Sequence, residues 1–327
     1  MRWPGCAGRN RAAAANCGAR CSDSWPIGSN RTWHRGETIM TVQIRPAAPS
    51  DAEACGHIIY EAFQGIAARH GFPPDFPAAE AGIELARRLT TNPSVFGVVA
   101  EEEGRVVGSN FLSEADAIRG VGPITVDPTA QGAGIGRQLM QAVLDHANGA
   151  TGIRLLQDAF NMRSIALYAS IGFEVREPVL VMTGRPAGKP TADVTVRPMR
   201  EHDLDACDAL SRQVHGISRH GELVEALRSL TPLVAERAGR IAAYMTAPTF
   251  WIANHGVAES EAGMTDLLLL GAVAAHSEPL SFLLPIRQTG LFRWCLEHGM
   301  QTVKPMTLMS IGEYRAPVGT YMPSVFY

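Results

Sequence analysis

The sequence has no apolar run long enough to cross a membrane as a helix. Its most apolar stretch, residues 267–275, is far shorter than the roughly 20 residues that such a helix needs. Neither sign of charge dominates, because 29 lysines and arginines stand against 32 aspartates and glutamates, for a net charge of −3. This balance disfavours a histone- or nucleic-acid-directed protein. We therefore predict neither a membrane nor a nucleic acid as partner.

The six cysteines lack the paired spacing of metal sites. They are predicted to be reduced thiols, as in cytosolic proteins, which places the protein in the cytoplasm. Cys6, Cys17 and Cys21 lie near His34, but their spacing matches no familiar zinc pattern. We predict that the protein needs no metal.

Residues 1–39 differ in composition from the rest of the chain. They are rich in alanine, arginine, glycine and asparagine and contain no apolar core run. The arginines faintly resemble those of an organelle transit peptide, but no amphipathic helix emerges. We expect a disordered tail, or a start codon assigned too far upstream, with the folded protein beginning at Met40.

A glycine-rich segment between a predicted strand and a predicted helix is the most informative part of the chain. Residues 124–126 are β-branched and mostly apolar, and Pro128 ends this strand because proline cannot donate to a ladder. Glycines stand at positions 132, 134 and 136, and apolar residues then recur at helical spacing from Ile135. Such a turn exposes backbone N–H groups at a helix N-terminus, which predicts phosphate or pyrophosphate binding.

The spacing of this segment narrows the choice of phosphate ligand. A dinucleotide fingerprint needs a third glycine where Arg137 or Leu139 stands, and a P-loop needs a lysine that is missing here. The pattern Gln-x-x-Gly-x-Gly is present instead, as Gln131, Gly134 and Gly136. It resembles the pyrophosphate-binding motif of the GCN5-related N-acetyltransferases (GNAT), which bind acetyl-coenzyme A. The alternative is a helix entry in which the glycines only make a tight turn.

A second block supports the resemblance. Asn161, Ser164, Tyr168, Gly172 and Phe173 follow a predicted strand at spacings similar to those of the next strand–helix unit of the family. The resemblance implies that Asn161 helps to hold the cofactor and that Tyr168 protonates the departing thiolate. Asn161 can equally be a helix cap. The alternative for Tyr168 is a buried core residue whose hydroxyl is bonded to a carbonyl. We favour the catalytic role, since an unperturbed phenol, with a pKa near ~10, is protonated at neutral pH and can donate to a thiolate.

The resemblance implies a complete cofactor site. Backbone N–H groups of the loop would hold the pyrophosphate of acetyl-coenzyme A without a metal, and an N–H near Val126 would face the thioester oxygen. The implied cofactor-binding residues are Val126, Gln131, Gly132, Ala133, Gly134, Ile135, Gly136, Arg137 and Asn161.

The general base is left open by the sequence. Glu114, Asp116 and Asp158 lie on or beside strands that border the groove in the family. We select Glu114 and Asp158, together with Tyr168, as candidate catalytic residues. Deprotonation of the amine through water is the alternative, and each of these acids can instead be solvated.

An internal repeat suggests two copies of one fold. Arg45 and Asp51 recur as Arg197 and Asp203 at the same spacing. A length of 327 residues also fits two domains. We predict an N-terminal GNAT domain over residues 40–186 and a C-terminal GNAT-like domain over residues 187–327.

The second copy departs from the first where the chemistry would lie. It has no Gln-x-x-Gly-x-Gly segment, and Cys295 stands where the first copy has Tyr168. We therefore predict a degenerate domain that binds no cofactor and forms a wall of the acceptor site. Docking that only stabilises the first domain is the alternative explanation for this copy.

These observations predict an α/β protein with two GNAT-like domains, each a mixed, mostly antiparallel sheet flanked by helices. The predicted function is transfer of an acetyl group from acetyl-coenzyme A to an amine of a small-molecule or peptide acceptor, by a monomer or homodimer. The alternative is a non-enzymatic module that binds or senses acyl-coenzyme A. The two differ in whether Tyr168 and a nearby acid face the thioester.

Overall fold

The computed structural model describes residues 42–326, and these residues belong to one compact unit. The predictions made for residues 1–39, including the cysteines near His34 and the start at Met40, lie outside the described residues.

The first half of the described chain alternates strands and helices. Its strands are β1 (Gln43–Pro46), β2 (Val95–Glu102), β3 (Arg105–Ser113), β4 (Ile118–Val121), β5 (Thr125–Val126), β6 (Gly152–Asp158) and β7 (Glu174–Gly184). Its helices are α1 (Ala52–His70), α2 (Ala79–Thr91), α3 (Ile135–His146) and α4 (Met162–Ser170).

The second half repeats this order of elements, except that it has one strand fewer before its third helix and one strand more at its end. Its strands are β8 (Val194–Pro198), β9 (Leu233–Arg237), β10 (Arg240–Met245), β11 (Gly256–Ala258), β12 (Leu280–Pro285), β13 (Gln301–Gly312) and β14 (Thr320–Met322). Its helices are α5 (Leu204–His215), α6 (His220–Ser229), α7 (Glu261–Ala274) and α8 (Thr289–Glu297).

The repeat extends to side-chain contacts at the start of each half. Arg45 binds Asp51 at 2.7 Å and Glu101 at 2.8 Å, which ties β1 to the first helix and to β2. Arg197 binds Asp203 at 2.7 Å and also a glutamate on β9. In both halves the aspartate accepts a backbone N–H three residues before it, which fixes the entry to the helix. The sequence motif is therefore a structural clasp that occurs twice.

The strands form two sheets, and the larger sheet contains strands from both halves. Its order is β1-β2-β3-β4-β6-β13-β7-β12, with β5 paired to β3. The smaller sheet has the order β14-β11-β10-β9-β8. Strand β13 lies between β6 and β7 and is antiparallel to both. The boundary at residues 186 and 187 stays a prediction, since β12 and β13 follow it in sequence but lie in the sheet that β1 begins.

Helices cover both faces of the first half's part of this sheet. On β2, Val98 and Ala100 pack in the cluster that contains Leu139 of α3, whereas Val99 packs with Ile59 of α1. This alternation is the two-residue period of a strand with both faces buried. A cleft opens at the ends of the strands, between these two layers of helices.

Candidate active site

The cleft begins where two parallel strands separate. Strands β4 and β6 pair only from Ile118 to Gly120 on β4, and β5 then stays paired with β3 alone. The chain between β4 and β5 is interrupted at Gly122 and Pro123. Pro123 has no N–H to give to a neighbouring strand. The ends of β5 and β6 are therefore apart, with a gap between them.

The glycine loop leads from β5 into α3 at one side of this gap. Gly132 has a φ of 99° and Gly134, the N-cap of α3, has a φ of 80°. Both values belong to the left-handed region that favours glycine. A Cβ built at either position would meet nothing within 4 Å, so the surface above the loop is open. The first N–H groups of a helix have no acceptor within the helix, and here they are next to that open space.

Most of the predicted cofactor residues line one cleft of about 450 Å³. Ala133 is not among its lining residues, although it belongs to the same loop. Those that line the cleft are Val126, Gln131, Gly132, Gly134, Ile135, Gly136, Arg137 and Asn161. Their individual roles toward a cofactor stay predictions.

The charges around the loop suit a polyanionic ligand. Arg69, Arg137 and Arg163 line the cleft, from three different helices or helix ends. Arg137 is held by Ser170 at 2.6 Å, and Arg163 donates to the Gln131 amide oxygen at 3.5 Å. Guanidinium groups and the N-terminus of α3 both favour phosphate. The sequence motif did not reveal Arg69, which α1 brings to the site by tertiary packing.

Asn161, the N-cap of α4, and Gln157, on β6, each combine a structural role with a place in the cleft. The Asn161 side chain accepts a hydrogen bond from the Ser164 N–H at 3.3 Å, so it caps α4. Gln157, which sequence reasoning missed, accepts from the Ser164 hydroxyl at 2.8 Å. Its Nε2 is buried and has no partner within residues 42–326, yet Gln157 lines the cleft. A buried donor without an acceptor points to an oxygen atom of a ligand.

Tyr168 lies on α4 behind the cleft and is not one of its lining residues. Its side chain is buried and packs edge-on against Phe173, with ring centroids 6.1 Å apart. Within the described part of the chain, no residue accepts a hydrogen bond from its hydroxyl. Burial, together with the negative charge of Asp158, raises the pKa of Tyr168 above its ordinary value. The phenol therefore stays protonated across the physiological range and is available as a donor.

Asp158 ends β6 at the inner part of the cleft and belongs to a buried ion cluster. Lys304 Nζ on β13 lies 2.6 Å from Asp158 and 2.7 Å from Asp75, and all three residues are buried. The same ammonium lies 5.1 Å from the centroid of the Trp251 ring. Burial raises the pKa of Asp75, with the Lys304 ammonium opposing this shift and the Asp158 charge adding to it. The cluster contains two carboxylates but one ammonium.

The other acids proposed from the sequence have structural partners elsewhere. Glu114 pairs with Arg119 at 2.8 Å and contacts His146 at 3.2 Å, and it does not line the cleft. Asp116 accepts the first N–H groups of α6, from Gly221 at 2.9 Å and from the next residue at 3.0 Å. The structure thus brings Asp158, and not Glu114, to the cleft. Glu114 as a general base stays a prediction.

Residues 42–326 contain no group of three or more histidines, cysteines, aspartates and glutamates arranged to hold a metal ion. None of their helices has the length and apolar character needed to span a membrane.

Comparison with known proteins agrees with the motifs. Residues 93–175 match the family model of the acetyltransferase (GNAT) domain. The chain is 31% identical over 137 residues to the N-alpha-acetyltransferase RimI of Mycobacterium tuberculosis, which covers 41% of this chain and 78% of that protein. The chain belongs to the GNAT acetyltransferase family. The prediction of an acetyltransferase is thereby confirmed at the level of the family.

Another relative matches only a short part of the chain. The chain is 37% identical over 78 residues to a mycothiol acetyltransferase of Thermomonospora curvata, a match that covers 23% of this chain. It spans about a quarter (26%) of that relative's length. For substrates and partners, these relatives supply only hypotheses.

Solved structures resemble both halves together. A putative acetyltransferase from Pyrococcus horikoshii has a TM-score of 0.69 at 17% identity, with 90% of this chain and 98% of that chain covered. A tandem GNAT protein from the clavulanic acid biosynthesis pathway has a TM-score of 0.55 at 13% identity, with 83% and 98% covered. These likenesses concern the fold alone. They confirm the predicted α/β class with two GNAT-like parts.

Proposed function

We propose that this GNAT protein transfers an acetyl group from acetyl-coenzyme A to an amine of a small-molecule or peptide acceptor. The observation that carries the proposal is the arrangement of one cleft. A glycine loop at a helix N-terminus forms its outer part, and Asp158, with the unpaired Tyr168 hydroxyl behind it, forms its inner part.

The residues present fit the cofactor. The open surface over Gly132 and Gly134 leaves room for a pyrophosphate against the backbone, and Arg137 adds positive charge beside it. The unpaired Gln157 Nε2 offers a donor to a carbonyl or hydroxyl oxygen further along the cleft. When bound, acetyl-coenzyme A supplies the acetyl group as a thioester.

The protein's own residues then have separate tasks. An amine is protonated at neutral pH and must lose a proton before it can attack, and Asp158 is placed to accept that proton. Asp158 lies on the strand end that faces the ion cluster, whereas Tyr168 lies on the helix side. Tyr168 donates its proton toward the sulfur as negative charge develops there. Holding both partners in the cleft supplies the remaining rate enhancement through orientation.

The test combines cofactor binding with thiol release. Gly134→Val should weaken acetyl-coenzyme A binding, measured by calorimetry, because a β-branched side chain at positive φ distorts the loop and covers the open surface. Gly149→Val is the matched control, since Gly149 has a φ of 90° and open space around it but does not line the cleft. Equal affinity of both variants for the cofactor would contradict the proposal.

Free-thiol release with a panel of amines, amino acids and peptides tests the transfer itself. Wild-type protein should release coenzyme A thiol in the presence of at least one amine and not in its absence. If acetyl-coenzyme A binds but no acceptor releases thiol, the protein is instead a binding or sensing module.

A further inference from the structure

A second, small cavity lies next to the cleft and is formed by both halves of the chain. It has a volume of about 50 Å³. Phe63 of α1 lines both this cavity and the cleft, so it is a wall common to the two. Its other walls include Phe76 and Leu85 from the first half and Trp251 and Met306 from the second. No sequence motif marks this cavity.

Size and lining define what the cavity can hold. A water molecule needs roughly 10–15 Å³ of such volume, so the cavity takes about three to five non-hydrogen atoms. Aromatic and aliphatic side chains form its walls, and Asp75, whose carboxylate is directed to Lys304, is the charged residue among them. A small hydrocarbon group fits this environment, whereas a polar group would lose its hydrogen bonds to water.

The charged cluster lies between the two cavities. Asp75 lines the small cavity, Asp158 lines the cleft, and Lys304 binds both carboxylates. When both carboxylates are ionised, they outnumber the single ammonium, and the buried cluster carries one net negative charge. Trp251 contributes no charge to it. A cationic group that arrives at the inner end of the cleft would be attracted to the cluster.

We propose that the acceptor is a primary amine that carries a compact hydrocarbon group of about three to five carbons. Its ammonium meets the cluster of Asp75, Lys304 and Asp158, and its hydrocarbon group occupies the small cavity. This inference rests on the proposed acetyl transfer and specifies its substrate class. It also gives the second half a role, because Lys304, Trp251 and Met306 all belong to that half.

The transfer balances as follows. The amine nitrogen forms a bond to the acetyl carbon as the carbon–sulfur bond breaks. The ammonium loses two protons in all. One passes to solvent through Asp158, and the other restores the proton that Tyr168 gives to the sulfur.

The first test is a chain-length series measured by thiol release with the full chain. The acceptors are unbranched primary amines from ethylamine to octylamine, at saturating acetyl-coenzyme A. We expect kcat/KM to rise about fourfold per methylene while the added carbon is buried, and to fall beyond about five carbons. Butylamine should exceed 2-methoxyethylamine, which has the same number of non-hydrogen atoms, at least tenfold.

The second test alters the cavity in opposite directions. Met306→Ala removes three non-hydrogen atoms from the wall and should move the optimum toward amines two or three carbons longer. Leu85→Phe narrows the cavity and should move the optimum toward shorter amines. Val273→Ala is the control, because Val273 is 70% exposed and lines neither cavity; its profile should equal that of the wild type. Unchanged acetyl-coenzyme A affinity shows that a variant is folded.

The outcomes separate this inference from the function on which it rests. Equal kcat/KM for butylamine and 2-methoxyethylamine would overturn it, as would thiol release with peptides or polar amines alone. An optimum that stays in place in every folded variant would overturn it too. In each of these cases acetyl transfer itself stands. Failure of the wild-type protein to bind acetyl-coenzyme A would instead overturn the proposed function.

Discussion

The ion cluster that joins the two halves allows a quantitative prediction. Lys304→Met keeps an unbranched apolar stem but removes the ammonium from between Asp75 and Asp158. The Lys304 side chain is 3% exposed and that of Asp75 is 7% exposed, so water cannot replace the lost charge without rearrangement. Removing one partner of a buried ion pair costs about 3–5 kcal/mol, because the remaining charge is left uncompensated. Here two like charges remain.

This loss of stability should lower the melting temperature by a measurable amount. Each kcal/mol shifts Tm by roughly 2–4 °C in domains of 150–250 residues. The described residues, 42–326, belong to one compact unit that is larger than this, so the lower end of that range applies. We expect Lys304→Met to melt about 6–10 °C below the wild type at pH 8 in a calorimetric scan.

The deficit should depend on pH, with a sign fixed by Asp75. Burial raises the pKa of Asp75 in the folded protein above its ordinary value. A group of this kind contributes stability at low pH, and that contribution is lost as pH rises through its folded pKa. Loss of the Lys304 ammonium removes the contact that opposes the shift. The deficit of Lys304→Met should therefore be smaller at pH 5 than at pH 8.

Two further variants test whether the loss of stability comes from the buried charges. Lys189→Met is the matched control, because Lys189 is exposed, and its Tm should equal that of the wild type. Asp75→Asn in the Lys304→Met background removes one of the two like charges and should recover part of the loss at pH 8. An equal Tm for Lys304→Met and the wild type at pH 8 would refute the argument. A difference in Tm between the two proteins that is the same at pH 5 and pH 8 would refute it too.

Three other outcomes follow from the site. Tyr168→Phe should lower kcat about a hundredfold, with the KM for acetyl-coenzyme A within about twofold of the wild type, since only a positioned proton donor is lost; full turnover in steady-state kinetics would exclude that role. Calorimetry should give one acetyl-coenzyme A per chain, because the second half has no glycine loop and Glu261 places a negative charge at the N-terminus of α7; a stoichiometry of two would contradict this. A fragment of residues 40–188 should show no cooperative unfolding, because it lacks β13 between β6 and β7; a sharp thermal transition would show that the first half folds alone.

The parts of the site that the sequence predicted well are local in the chain. The glycine loop from Gln131 to Arg137 and the block from Asn161 to Tyr168 each depend on a strand, a turn and a helix that are adjacent in sequence. Turn chemistry and helical periodicity are properties of such short segments. The loop, apart from Ala133, and Asn161 consequently line one cleft, while their roles toward a cofactor stay predictions. The repeat is evident in the order of elements.

The parts that the sequence did not predict depend on distant contacts. Lys304 and Asp75 are 229 positions apart, yet they form one ion pair. Lys304 follows no motif, and its place in the site requires β13 to enter the sheet between β6 and β7. Such strand pairing is set by tertiary topology, which periodicity along one strand does not report. The same reason explains why Arg69, which α1 brings to the cleft, was missed.

Glu114 illustrates a second limit of the sequence, which concerns the partners of an acidic side chain. Its position after β3 suggested a place at the groove, but a strand end has several neighbours that compete for a carboxylate. Arg119 on β4 and His146 at the end of α3 both lie within reach, at 2.8 Å and 3.2 Å. A sequence gives the position of an acid along a strand. It does not give the cations that pair with it.

The two halves share a fold but differ in what fills the gap between their strands. In the first half, β5 and β6 are apart and Asn161, the N-cap of α4, faces the open cleft. In the second half, β14 pairs with β11 and also contacts β12, so a strand of the chain itself occupies the corresponding place. Gln288, the N-cap of α8, donates to the Tyr321 carbonyl at 2.7 Å and accepts its N–H at 3.0 Å. The polar group at the helix start thus meets backbone in one half and open space in the other. One copy is a candidate site because no strand of the described chain fills its gap, and the other is structural because three residues of β14 close it.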